Sequence, residues 1–292
     1  MTPAPLRKGE TAALDDGARS AASGAFVKLS QGTTHYERTG PLQSRPVVLV
    51  HGFSVPYFIW DPTYVALGQQ GKHVIRYDLF GRGYSDRPAL KYGIDLFVRQ
   101  LLDLLNALEQ AQADLVALSM GGPIAASFAV RHPERVRKLV LIDPSGVQPV
   151  ALGGLYSLTA LPGLSELIFA IGGTNYMLKK AAEDFFDPAL VGTFRERYAV
   201  QMQFRGFQSA ILSTVRNKML GSFSAAYAAL GKTKKPVLLI WGEKDSTVPF
   251  QHSQRLRELI PQAQFVPVPE CGHLPHYERP EVVNPRILEF LA

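Results

Sequence analysis

The chain carries a single cysteine, Cys271, in 292 residues. No internal disulfide can form, which fits a reducing compartment, and a cytoplasmic protein is expected. No apolar run reaches the ~18 residues that a spanning helix needs, so no integral membrane segment is expected. The most lipophilic stretch, 155–173, is broken by Pro162 and Gly163 and charged at Glu166. The first 25 residues have no continuous apolar core, being interrupted by Glu10, Asp15 and Asp16; no signal peptide is expected. A basic stripe is missing too. Although 31 Lys and Arg outnumber 25 Asp and Glu, they are scattered, and the densest cluster is "KTKK" at 232–235. Nucleic acid is therefore not an expected partner. No His, Asp and Cys group has metal-ligand spacing, and no G-x-G-x-x-G follows a strand pattern. Neither a metal nor a cofactor is implied.

What is present is an ordinary globular composition, 46% hydrophobic and 19% charged, with enough apolar material for a large core. "AFVKLS" and "THYERTG" flank Gly32 and suggest a first hairpin. "PVVLV" (46–50) is a continuous apolar run with no alternation, as a strand buried on both faces requires. "HVIRYDLFGRG" (73–83) repeats the pattern of strand and glycine loop. Residues 115–118, 138–146, 236–245 and 263–269 read as further strands. Between them, 95–110 has apolar residues at 96, 97, 101, 104, 105 and 108, which is helical spacing. Further helices are expected at 123–132, 251–260 and 281–291. This alternation predicts an α/β fold with a mostly parallel, doubly wound sheet covered by helices. The rhythm breaks between Pro144 and Lys235, where helical segments are expected at 164–171, 176–186 and 189–219. The chain thus divides into a core of 26–146 and 234–292, an inserted helical block of 147–233, and an N-terminal extension of 1–25.

In open parallel sheets, sites form beyond the carboxyl ends of the strands. The polar residues there are His51, Asp78, Ser119, Asp143, Asp245 and His273. Ser119 lies in "ALSMGG" (117–122), between a strand and a helix. A serine hydroxyl on such a turn is lifted clear of the sheet, where a base can take its proton. Both Ala117 and Gly121 are small, as the tight turn needs, but Ala117 stands where the G-x-S-x-G signature has glycine. On these six residues alone, Ser119 is equally a nucleophile or an N-cap for the following helix.

Five motifs in order resemble the α/β-hydrolase fold family, in its branch with a helical cap: "HGF" (51–53), "DLFGRGYS" (78–85), "ALSMGG", "GEKDSTVP" (242–249) and "CGHLPHYERP" (271–280). The match runs from about "PVVLVHGF" to the last residue. The order Ser, Asp, His is the family's. The resemblance implies Ser119 as nucleophile, His273 as general base and Asp245 as the acid that orients it. It implies an oxyanion hole of the backbone N–H groups of Phe53 and Met120, whose side chains would also line the acyl site. Asp143 is the rival acid, His276 the rival base. His51 is expected to hold its own loop, and Asp78 to tie its glycine loop together. Cys271 reads as a small buried hydrophobe.

A serine where some branches carry aspartate implies acyl transfer. Small-molecule carboxylic esters are the expected substrates, cleaved through an acyl-enzyme by a serine esterase of the carboxylesterase or lipase kind. The cap would roof the site, and the run 155–173 with Phe169, Tyr176, Phe185 and Phe186 suggests a lipophilic pocket. The alternative enzyme is a carbon–carbon hydrolase of ring-cleavage products. Relatives of that kind commonly have Asn before the serine and Trp after the histidine, where this chain has Leu118 and Leu274. A binding protein on a hydrolase scaffold is the alternative from another class. Monomer and homodimer both stay open.

Overall fold

Burial of whole strands sets the architecture. Every residue of Pro46–Val50, His73–Tyr77, Ala113–Leu118 and Val237–Gly242 is buried. The computed structural model describes residues 9–149 and 173–292. It joins β1 (Ala25–Leu29), β2 (Gly32–Thr39), β3 (Pro46–Val50), β4 (His73–Tyr77), β5 (Ala113–Leu118), β6 (Val136–Ile142), β7 (Val237–Gly242) and β8 (Gln264–Val268) into one eight-stranded sheet. The order is β1-β2-β4-β3-β5-β6-β7-β8. The β1–β2 hairpin and its seam with β4 are antiparallel. All remaining pairs are parallel. The sheet is therefore mostly parallel and wound outward from β3 in both directions.

The described helices are α1 (Asp16–Ser20), α2 (Asp61–Gln69), α3 (Ile94–Ala107), α4 (Gly121–Arg131), α5 (Thr174–Glu183), α6 (Val191–Met202), α7 (Phe207–Arg216), α8 (Ser224–Lys232), α9 (His252–Leu259), α10 (Pro275–Glu278) and α11 (Pro280–Leu291). Successive strand residues face opposite sides, so Val48 and Val50 join one apolar cluster and Val47 and Leu49 the other. The first cluster takes Leu96, Leu101 and Leu105 of α3, Ile124 and Phe128 of α4, and Leu256 of α9. The second takes Leu67 of α2 and Val283, Ile287 and Leu291 of α11. It also takes Phe194, Tyr198 and Phe207 from the block between β6 and β7. Among the described residues, no helix is long and apolar enough to cross a membrane.

Three details differ from the sequence reading or escape it. The helical segment expected over 189–219, in a block with Pro and Gly breaks, is two helices, α6 and α7, separated around Gly206, which has φ +87°. The N-terminal segment crosses at that break. Ala12 pairs with Phe204, and the buried Glu10 carboxylate accepts hydrogen bonds from the backbone N–H groups of Gly206 (3.0 Å) and Gln208 (2.7 Å). Helix α2 was not expected, because its buried face consists only of Thr63 and Leu67 and leaves no stripe to read. The expected segment 164–171, Phe169 and all of the run 155–173 except Gly173 lie outside the described residues.

Leu239 lies in the middle of β7 and is fully buried. Leu239→Ala is expected to cost ~2–5 kcal/mol, the lost transfer energy plus the cavity left behind. Reversible denaturant unfolding of parent and variant measures it.

Candidate active site

The turn after β5 holds a non-glycine residue in the left-handed region. Ser119 has φ +51°, and the backbone there is fixed from both sides. Its N–H donates to the Ile142 carbonyl (2.9 Å), and its carbonyl accepts from Gly122 (2.8 Å) and Ser145 (3.1 Å). Strain of this kind persists only where the surroundings impose it. A Cβ on Gly121 would lie 2.4 Å from the Val50 carbonyl oxygen, and one on Gly122 would lie 2.5 Å from Pro144 Cβ. Both glycines are therefore demanded by close approach. Ala117 is not in that position: its methyl is accommodated within β5, fully buried between Val50 and Leu141. The glycines that the turn requires are the two that follow Met120, Gly121 and Gly122.

The loop after β3 comes against the serine. A Cβ on Gly52 would meet Ser119 Cβ at 3.2 Å. His51 holds this loop: its Nε2 accepts from Leu79 N–H (2.9 Å) and its Nδ1 lies 3.0 Å from the Gly52 carbonyl. Burial, outweighing the pull of Asp78, lowers its pKa to about 4, so it stays neutral. Asp78 fastens the next loop, accepting from Tyr57 N–H (2.9 Å) and Tyr84 N–H (2.9 Å) and pairing with His35 at 2.8 Å. Sequence reasoning missed Arg82 in the same stretch. Its fully buried guanidinium donates to the carbonyls of Phe53 (2.8 Å) and Phe80 (3.1 Å) and to Thr214 Oγ1 (2.9 Å). Arg82 thereby orients the Phe53 residue and ties it to α7. A charged residue inside an apolar glycine loop was the available signal.

At the ends of β7 and β8 the acid and the imidazole meet. His273 Nδ1 lies 2.7 Å from Asp245 Oδ2. The other Asp245 oxygen accepts from the N–H groups of Thr247 and Val248, both at 2.8 Å. Burial works against the imidazolium, but Asp245, with Asp184 and Glu278 behind it, raises the His273 pKa above its ordinary value. The fixed Nδ1 contact leaves Nε2 for a reacting partner. Asp143, the rival acid, comes into the same cluster: carboxylate oxygens of Asp143 and Asp245 and a ring nitrogen of His273 lie within 4.8 Å of one another. Its hydrogen bond, however, goes to Gly242 N–H (2.9 Å) and not to the imidazole. Among the described residues these three are the group close enough to share a metal ion, and the His273–Asp245 contact already uses Nδ1. His276 is elsewhere. It packs on Trp60, lies 3.1 Å from the Ile59 carbonyl, and burial takes its pKa down to about 3. Cys271 is buried and its thiol pKa is pushed far up by burial and Glu278, so it is no thiolate nucleophile.

Ser119 and His273 line one cavity of about 170 Å³. Leu118, Leu274, Ile59, Val55 and Phe53 give it apolar walls, and α5 with its C-cap adds Tyr176, Met177, Lys180, Ala181 and Asp184. Of the aromatic residues expected there, Tyr176 lines it. Phe185 instead packs against Phe194 and Tyr277, and Phe186 is exposed at the surface. Met120 also departs from expectation: at the N-cap of α4 its side chain is fully buried in the core cluster and is not among the residues lining the cavity. Its backbone N–H lies at the start of that helix. Asp184 was not foreseen. Its carbonyl accepts from His273 N–H (2.7 Å), its carboxylate accepts from the Thr247 hydroxyl (2.5 Å), and burial raises its pKa to about 6.

Residues 45–280 match the family described as alpha/beta hydrolase fold. The 2-hydroxymuconate semialdehyde hydrolase of Pseudomonas sp. (strain CF600) is 32% identical, over 85% of this chain and 87% of its own. The solved meta-cleavage product hydrolase from Pseudomonas fluorescens IP01 is 28% identical with a TM-score of 0.76, covering 92% of this chain and 97% of that one. A thermophilic esterase from Thermogutta terrifontis is 25% identical with a TM-score of 0.77, covering 92% and 98%.

Two outcomes are expected. Gly121→Ala forces a methyl onto a backbone oxygen and should cost ~1–3 kcal/mol of stability, read by denaturant unfolding, with loss of turnover. Because a general base must be neutral and the His273 pKa is raised, kcat/KM should fall on acidification with a midpoint above 6.5. A pH–rate profile with its midpoint below that value would exclude His273 as the base.

Proposed function

This chain belongs to the alpha/beta hydrolase fold family, and from that premise we propose that it is a serine hydrolase of small-molecule carboxylic esters. It is a hydrolase; the ester specificity and the roles that follow are our reading. Ser119 Oγ attacks the ester carbonyl as His273 Nε2 takes its proton, and Asp245 steadies the imidazolium that forms. The tetrahedral oxyanion is received by the backbone N–H groups of Phe53 and Met120; losing one donor in such sites costs ~3 kcal/mol. His273 then returns the proton to the leaving alkoxide, which departs as the alcohol. Water, activated by the same imidazole, releases the acid from Ser119. The helical block between β6 and β7, within 147–233, acts as a cap whose Tyr176, Met177 and Ala181 side chains receive the acyl or alcohol group.

The observation that carries the ester reading is the cavity wall beside the nucleophile. Leu118 and Leu274 both line it. These two apolar side chains suit an acyl chain, while the hydrogen-bonding side chains of the same cavity include Ser54, Ser145, Lys180 and Thr247. The second reading is a carbon–carbon hydrolase of ring-cleavage products, and it rests on the names of the relatives at 28–32% identity. The same nucleophile, base and oxyanion donors serve both reactions, so only the wall separates them.

Kinetics on p-nitrophenyl esters of increasing acyl length, run beside a ring-cleavage dienoate, decide between the two. The ester reading expects a higher kcat/KM on medium-chain esters than on acetate, and on esters than on the dienoate. A preference for the dienoate selects the second reading. Ser119→Ala is expected to abolish turnover of either substrate while circular dichroism stays unchanged; retained turnover removes Ser119 from its role.

A further inference from the structure

Asp143 is an acid that the proposed reaction does not use. It follows β6 directly, and its N–H continues the ladder to the Ile240 carbonyl at 3.0 Å. Its φ is +40°, the same unusual region that Ser119 occupies after the neighbouring strand. The side chain is completely buried. One oxygen accepts from Gly242 N–H at 2.9 Å; the other, Oδ2, is buried without a hydrogen-bond partner. Asp245 and His273 lie within 4.8 Å, and Glu278 also bears on the site.

Two carboxylates this close in a dry site cannot both ionise, and the better-solvated one keeps the charge. Asp245 has two backbone N–H donors and the imidazole. Asp143 has one donor. An unpartnered oxygen on a buried anion is costly, whereas the same oxygen bearing a proton is a donor with an acceptor beside it. We infer that Asp143 is a neutral carboxylic acid whose proton is directed at Asp245, and that it acts through Asp245 as a positioning residue for His273. Burial, and then the Asp245 charge, push the Asp143 pKa well above the usual carboxylate range, in the same direction.

The consequence is electrostatic. A second charge beside the Asp245–His273 pair would favour the imidazolium and leave no base at neutral pH. A neutral Asp143 keeps that cluster at one negative charge and adds a donor that tempers it. Asp184 and Glu278 are the other acidic groups facing His273. Glu278 also faces Asp143, so of the two only Asp184 stands apart from the groups that bear on that carboxyl.

This inference rests on the triad reading for its role, but the protonation state is tested without turnover. In protein labelled with ¹³C-aspartate, the infrared spectrum at neutral pH should show a protonated carboxylic C=O band that Asp143→Asn removes. Absence of that band from the parent overturns the proposal whether or not any variant folds. The role is read from the acidic limb of kcat/KM. Asp143→Asn retains an uncharged donor and should leave the limb at its parental pH. Asp143→Ala removes the donor and should move it upward by about half a unit or more. If Asp143 were charged, Asp143→Asn would delete an anion and move the limb downward by about one unit or more, which overturns the proposal. An Asp143→Ala limb at the parental pH overturns the positioning role. Hydrolysis surviving in Ser119→Ala would defeat the proposed function and leave the infrared result standing.

Discussion

The Asp245 carboxylate is held away from solvent with its charge divided between two backbone N–H groups and one imidazole nitrogen 2.7 Å away. That division needs three separate segments in register. The turn after β7 supplies Asp245 together with the N–H groups of Thr247 and Val248. The loop after β8 supplies His273, whose own N–H is fixed on the Asp184 carbonyl at the C-cap of α5. The parallel ladder between β7 and β8 sets the distance between the first two. A buried carboxylate is costly unless its oxygens find partners, and here each oxygen has at least one.

The same strand ends bring in Ser119. The ladder runs one residue past β5 and one past β6, through the bonds Ser119 to Ile142 and Asp143 to Ile240. Each of these residues leaves its strand at positive φ. The polar groups therefore converge because adjacent parallel strands finish at one edge, and the chain must turn sharply there to enter a helix or a loop.

Much of this was legible because it is local. Unalternating apolar runs marked the buried strands, and "GEKD" and "CGH" marked two of the strand ends. Apolar spacing over 95–110 marked α3. What escaped was set by contacts distant in sequence. Residues 10–12 dock where Gly206 divides α6 from α7, a contact no local pattern announces. Asp184 reaches the site only because α5 is folded over it, and nothing in "AAEDFFD" distinguishes it from a solvated acid. Met120 illustrates a third cause: it neighbours Ser119 in sequence, yet its side chain packs into the core at the start of α4, which adjacency in sequence does not reveal. The family was legible from five short motifs, whereas the wall positions Leu118 and Leu274, which line the cavity beside Ser119 and His273, carry no family-wide signal of that kind.

Glu10 bears on how the helical block can move. Its carboxylate joins backbone N–H groups 196 and 198 residues away in sequence. The segment before the first hairpin is thus moored to the start of α7, far along the chain from where the block joins β6 and β7. Any swing of α7 away from the sheet must first break the hydrogen bonds of this buried carboxyl group to Gly206 and Gln208.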